Sequence, residues 1–299
     1  MKKFYYGGQA VVEGVMMRGR KTMVTAVRRS DGSVTVDAQP LPSFYSGWLR
    51  QAPLIRGFIV MVEALTLGMK ALLYSTNVSL EEEGEKVSGG LAWVMVALSL
   101  TLGVGLFFLA PLFLTRLFHF QSSVVFNLVD GIIRVAIFIA YLKVMSLLSD
   151  IRRVFAYHGA EHKTVNAYEA GVPLEIEAIK RYSTAHKRCG TSFLFIVMLV
   201  AIIVFSMVGK PSLLVMVLSR IVLLPVIAAL SYEFIYFGAR HSDNGVMRII
   251  LAPGLWLQSL TTREPDDSQI EVALVAMKGV LEAEQPEQAQ AVAEVQPLS

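Results

Sequence analysis

The stretch Leu91–Leu114, LAWVMVALSLTLGVGLFFLAPLFL, carries no charged side chain, and its reading decides the class of fold. A helix needs ~20 apolar residues to cross a bilayer, and this run meets that length. Three more runs follow it: Val124–Leu148, Ser192–Val208, which is near the minimum, and Ser212–Phe237. Hydrophobic residues make up 54% of the 299, charged residues 17%, and the mean hydropathy is +0.55. That apolar excess is too large for an ordinary soluble domain. The sequence predicts a mainly α-helical, polytopic membrane protein with about four transmembrane helices. Its expected partner is the lipid bilayer, and nucleic acid is not expected.

Charge distribution orients the spans. Lysine and arginine crowd the segment before the first span, the loop from Ser149 to Thr191 and the segment after the fourth. The two remaining connectors hold only Arg116 and Lys210. The positive-inside rule then places both termini and the central loop in the cytoplasm. The N-terminus, MKKFYYGGQAVVEG, lacks the apolar core and cleavage site of a signal peptide. The single cysteine, Cys189, excludes an intramolecular disulfide.

Outside the spans the chain divides by composition. Residues 1–52 form a small β-containing cytosolic cap, in which TMVTAVRR and SVTVDAQ favour strands and SDGS between them signals a hairpin. Residues 53–90 begin with PLIRGFIVMVEALTLGMKALLYS, which Arg56, Glu63 and Lys70 interrupt at helical spacing. It reads as an amphipathic helix on the membrane surface, with a fifth span as the alternative, and a charged linker follows it. The transmembrane domain occupies 91–241. An interfacial segment, 242–264, holds most of the short Gly/Pro-bearing APGLWLQSLTTREPDD, Ala252–Asp267, which reads as a re-entrant or interfacial turn with Trp256 as an anchor. In the tail, 265–299, aspartates precede a helix-period apolar pattern, which predicts a capped helix. The final Pro/Gln-containing stretch has the composition of disorder.

Chemistry concentrates in YHGAEHKTVNAYE, Tyr157–Glu169. On a helix His158 and His162 stand one turn apart on one face, able to reach one ion, with Glu161 at its edge. H-x-x-E-H is the inverted zincin arrangement, in which the glutamate takes a proton from water at the metal. Glu169 lies roughly 10 Å along the axis from His162, by the ~1.5 Å rise per residue, too far for joint ligation. A third ligand comes from His186 or Cys189 in HKRCGTSF, or from Glu233 in SYEFIYFGARH, which His241 follows. Glu233 has a simpler role open to it, snorkelling or pairing with Arg240. The bland alternative for the whole stretch is a solvated helix whose histidines flank headgroups.

Two other features compete for attention. GVMMRGRKT, Gly14–Thr22, resembles a phosphate loop with Arg20 inserted before the lysine, and its glycines suit tight turns better. Asp130, Arg134 and Arg220 are intramembrane charges, which mark a relay or pathway unless they pair structurally.

Together GGQAVVEGVMMRG, HGAEHK, H-x-x-CGTSF, SYE and PGLWLQSLTTREPDD resemble the YqhQ-like family of bacterial membrane proteins, over most of the chain from Gly7 to the tail helix. Members carry the label of metal-dependent enzymes. The resemblance implies a bacterial cytoplasmic (inner) membrane location and supports a metal site, but names no substrate. The family pattern has proline after the second-loop histidine, where this chain has Lys187. The reading that follows is a metal-dependent hydrolase at the bilayer edge, with zinc the expected divalent ion, His158 and His162 as ligands and Glu161 as general base. A peptide or lipid-linked substrate entering from the membrane suits that position. The alternatives are a scaffold with a structural metal or His–Glu network, and a solute or lipid carrier built on Asp130, Arg134 and Arg220.

Overall fold

The computed structural model describes residues 4–42, 52–81, 84, 86–240 and 244–295. Strands β1 (Gly7–Val11), β2 (Gly14–Arg18), β3 (Thr22–Arg28) and β4 (Val34–Pro40) form one antiparallel sheet in sequence order. The expected hairpin is β3–β4, and Gly32 takes a positive φ of 84° in its turn. Between the two glycines of GVMMRG, read as tight turns, the chain forms strand β2, with turns just before Gly14 and just after Gly19. Its pairing with Thr22–Arg28 brings Val15 and Met17 to one buried face of the sheet and Met16 to the other, the period-2 alternation of a strand covered on both sides.

Each face has its own cover. Val15, Met17, Val24 and Ala26 share a core with Tyr157 and Ala160 of helix α5 (Ser149–Glu169) and with Ile270, Ala273, Met277 and Val280 of helix α11 (Asp267–Val295). Val11, Met16, Met23 and Val27 pack against Ile59, Leu67 and Ala71 of helix α1 (Ile55–Ser79). Helix α1 is long and apolar enough to span a membrane, yet one face lies along the sheet. Phe58, Leu65 and Leu72, spaced by seven, are exposed. Glu63 on the covered face pairs with Arg18 at 2.8 Å. Helix α1 thus has one face against the sheet and one face exposed.

The apolar runs form long helices. Helix α2 (Gly89–Val104) passes through a π-helical turn, Gly105–Leu109, into α3 (Ala110–Arg116); α4 covers Ser123–Met145 and α7 covers Gly190–Val208. Large apolar side chains on α2, among them Leu91, Trp93, Val94, Leu98 and Leu102, are more than half exposed, a contiguous surface suited to lipid and not to water. The expected fourth span is broken into α8 (Leu213–Val222) and α9 (Leu224–Arg240), bent by 48°. Pro225 has no N–H to donate back to the preceding turn, which explains the break. Four helices, α1 included, are long and apolar enough to cross a membrane, and the bent pair makes a fifth candidate.

Three further regions differ from their sequence reading. In the central loop the helix that carries the histidines, α5, begins as early as Ser149, and a short α6 (Ile176–Ile179) follows it. The interfacial segment 242–264 contains helix α10 (Gly245–Thr261), with Pro253 inside it. Gly254 and Gln258 both meet Ser192, and Thr261 meets Thr191. Helix α10 thus crosses the first turn of α7. The tail helix starts where the aspartates predict, since Asp266 Oδ1 accepts from the Gln269 N–H at 2.9 Å. It runs on to Val295 through the stretch whose composition suggests disorder, because alanine, glutamate and glutamine are strong helix formers.

Candidate functional site

Helix α5 carries HGAEH with its small residues turned to close contacts. Gly159 lies under the chain after α10: a Cβ there would stand 2.1 Å from the Arg263 carbonyl oxygen. The Arg263 N–H donates to the Phe155 carbonyl at 2.9 Å. This crossing brings the Thr261 carbonyl to His158, whose Nδ1 it meets at 2.9 Å. His162 Nδ1 likewise meets the Thr184 carbonyl at 2.6 Å. A backbone carbonyl only accepts, so both Nδ1 atoms carry a proton, and in the neutral ring this leaves the lone pair on Nε2, the tautomer a metal ligand needs.

Those two Nε2 atoms face a common partner. His158 Nε2 lies 3.3 Å from Cys189 Sγ, and the donor atoms of His158, His162 and Cys189 all lie within 4.8 Å of one another. One ion could bridge that spread. Cys189 caps the N-terminus of α7, where its sulfur accepts from the Thr191 N–H at 3.4 Å. Glu161 Oε2 is 3.9 Å from each histidine Nε2, and its other oxygen accepts from the Gly8 N–H at 3.1 Å. The carboxylate is thus held by the sheet through one oxygen and aimed at the histidines with the other. Gly8 is required for this approach, since a Cβ would lie 2.9 Å from Glu161 Cγ and 2.5 Å from the Met16 carbonyl oxygen.

The other sequence candidates sit nearby with different partners. The His186 ring is 5.4 Å from that of His162, but its Nε2 is 3.8 Å from Glu169. Its backbone is clamped by Gln258, which accepts from the His186 N–H at 2.9 Å and donates to the His186 carbonyl at 2.8 Å. Glu233 is not drawn to the histidines. Both its oxygens are taken by Arg56, and one also by the Leu54 N–H. The Arg240 side chain, the other expected partner, lies outside the described side chains. His241 lies outside the described residues. Lys187 is exposed, and the turn it occupies closes through a Cys189 N–H to His186 carbonyl bond of 3.4 Å.

Glu169, excluded from ligation by its distance, buttresses the second loop by pairing with Arg188, whose guanidinium lies over the Tyr5 ring at 4.5 Å. Burial alone would raise its pKa, but hydrogen bonding toward His186 and Arg188 and the charge of Arg188 hold the carboxyl at about 2. A depressed carboxylate stabilises the fold above its unfolded value of 4.5, and that contribution is lost as pH falls toward 2. The difference in unfolding midpoint between wild type and Glu169→Gln will therefore shrink as pH falls through that window. A difference independent of pH there would contradict the ion pair.

A cavity of about 480 Å³ adjoins the cluster, within the range of small-molecule sites. His158, Glu161, His162 and Cys189 line one part of it. Val60 and Leu67 of α1, Met16 of β2, and Tyr232 and Tyr236 of α9 line the rest. Gly8, Thr184, Thr261 and Gln258 were not singled out from sequence. The HGAEH glycine and the TTRE segment were the only written signs of the crossing.

The chain was compared with known proteins. Residues 52–283 match a family described as "Protein of unknown function (DUF1385)". The chain is 35% identical over 297 residues to "Uncharacterized protein YqhQ" of Bacillus subtilis (strain 168), covering 93% of each. No solved structure matches. With a family model that matches most of its length and a relative aligned nearly end to end, the chain belongs to the DUF1385 family of YqhQ-like proteins.

Proposed function

We infer that this protein is a membrane-embedded, metal-dependent hydrolase whose site faces the cytosol at the bilayer edge. One observation carries the reading: two imidazoles, each fixed by a backbone carbonyl at Nδ1, aim Nε2 toward Cys189 with Glu161 at 3.9 Å from both. The donor set of two nitrogens and one sulfur suits zinc, and three protein ligands are the usual number for a catalytic zinc site. A divalent ion held there supplies Lewis acidity that brings water's acidity into the neutral range. Glu161 Oε2 takes the proton, while the Gly8 N–H keeps the other oxygen from rotating away. The Thr261 and Thr184 carbonyls hold the ring orientations throughout. The cavity beside the cluster receives the substrate.

The packing supports a topology with an even number of crossings between cap elements. The sheet, α5 and α11 share one core, so they lie on one side of the membrane. The α2–α3 and α4 helices then cross between the sheet and α5, and α7 and the bent α8–α9 pair cross between α5 and α11. Helix α1 does not cross, because a crossing there would part the sheet from α5. The lysine and arginine bias assigns the cap side, with both termini, to the cytosol of a bacterial inner membrane.

The test is metal content joined to function. Purified wild type will carry about one zinc-class ion per chain, and the His158→Ala/His162→Ala variant none. Glu161→Gln will keep the metal and fail to complement a strain lacking the native gene. Equal metal in wild type and the double variant would remove the metal reading. A Glu161→Gln protein that binds metal and complements fully would make the metal structural, as in a scaffold.

A further inference from the structure

Midway along α4, three charged side chains are sealed in the helix bundle: Asp130, Arg134 and Arg220 are each no more than 1% exposed. Arg134 pairs with Asp130 through Nη2 and donates from Nε to the Phe107 carbonyl at 3.0 Å. Phe107 lies in the π-helical turn, and such turns are frequent at functional sites. Arg220 is placed differently. Its guanidinium lies over the Phe205 ring at 3.8 Å and reaches Asp130 only at 3.6 Å, beyond a good hydrogen bond. Among the described residues none of its three nitrogens has a hydrogen-bond partner, and Arg134 Nη1 and Asp130 Oδ1 also lack one.

Charge is unbalanced as well. Both guanidiniums stay protonated, and they face one carboxylate. Inside helices α2, α3, α4, α7, α8, α9 and α10 themselves the other acidic residue is Glu233, which Arg56 occupies. One positive charge is left in excess where the surroundings are apolar and charge is expensive. Water could satisfy the N–H groups but cannot neutralise the charge, whereas an anion does both. We propose that Arg220 and Arg134 bind a small monovalent inorganic anion of halide size within the membrane core. The size follows from enclosure, since Phe205 lies against Arg220 and the unpartnered atoms have no open surface. A tetrahedral oxoanion would have to unstack that ring. The site shares no residue with the histidine cluster and is independent of the hydrolase reading.

The test is the thermal unfolding midpoint of the full chain in lipid nanodiscs, titrated from sodium gluconate to sodium chloride at constant ionic strength. A ligand that binds only the folded state raises the midpoint with concentration, so chloride will stabilise wild type. Arg220→Gln removes the excess charge and abolishes the dependence. Asp130→Asn adds to the excess and strengthens chloride binding by at least about tenfold, the size expected for losing a like-signed neighbour of the ligand near 4 Å. If Arg220→Gln does not fold, the Asp130→Asn titration decides. A chloride-independent wild type, a dependence that survives Arg220→Gln, or weaker binding in Asp130→Asn would each overturn the proposal. Stabilisation by inorganic phosphate in place of chloride would likewise overturn the halide assignment.

Discussion

A Gly159→Ala substitution will unseat the chain that follows α10 and loosen metal binding with it. The added methyl would meet the Arg263 carbonyl oxygen at 2.1 Å, a backbone atom that cannot swing aside as a side-chain tip can. Either α5 or residues 261–263 must move, and the cost is about 3 kcal/mol, the upper end of ordinary overpacking. The same movement withdraws the Thr261 carbonyl from His158 Nδ1. Losing such an outer partner lowers metal affinity by about 10–100-fold. Thermal unfolding and competitive chelator titration read the two effects separately. Gly190→Ala is the control, since its Cβ would meet nothing within 4 Å and will change stability by no more than about 0.5 kcal/mol. If Gly159→Ala matches that control in both measurements, the crossing does not hold His158.

Gly8→Ala will separate function from metal. Its Cβ would press on the Met16 carbonyl oxygen at 2.5 Å and on Glu161 Cγ at 2.9 Å, pushing the carboxylate off its backbone anchor. The ligands reside on α5 and at the start of α7, so bound metal remains at the wild-type level. A general base displaced by about 1 Å loses on the order of 100-fold in rate. Complementation of the kind that scores Glu161→Gln will show the loss, with metal content measured on the same preparation. Gly7→Ala is the matched control, because a Cβ at Gly7 has nothing within 4 Å. Wild-type activity in Gly8→Ala would mean that Glu161 needs no support from β1.

Much of this was written in local patterns. Unbroken apolar runs marked α2, α4 and α7, and SDGS marked the β3–β4 hairpin. The i, i+4 histidines marked one helix face because helical geometry alone brings them together. The failures have a common cause, which is that their answer lies in distant chain. GVMMRGRKT offered glycines for turns, but that the residues between them form a strand shows only when Thr22–Arg28 pairs with them. Glu233 offered a carboxylate at a plausible depth, but Arg56, 177 residues away in sequence, claims it. The fixing of His158 and His162 by the Thr261 and Thr184 carbonyls has no residue signature, because every residue owns a carbonyl. Gln258 was equally silent, since a glutamine's value depends on what its two ends meet.

The cover of the sheet by α11 bears on how the molecule is made. Residues 14–28 leave the ribosome early, whereas Ile270–Val280, which complete one of their two faces, leave after every span has been synthesised. Domains fold as their parts emerge, but this cap must wait for its last layer. His158 acquires its Thr261 partner at the same late stage. A chain stalled, truncated or mis-threaded before residue 261 will therefore hold an open sheet and unoriented histidines. The histidine geometry is thus completed only after the last apolar helix has been made.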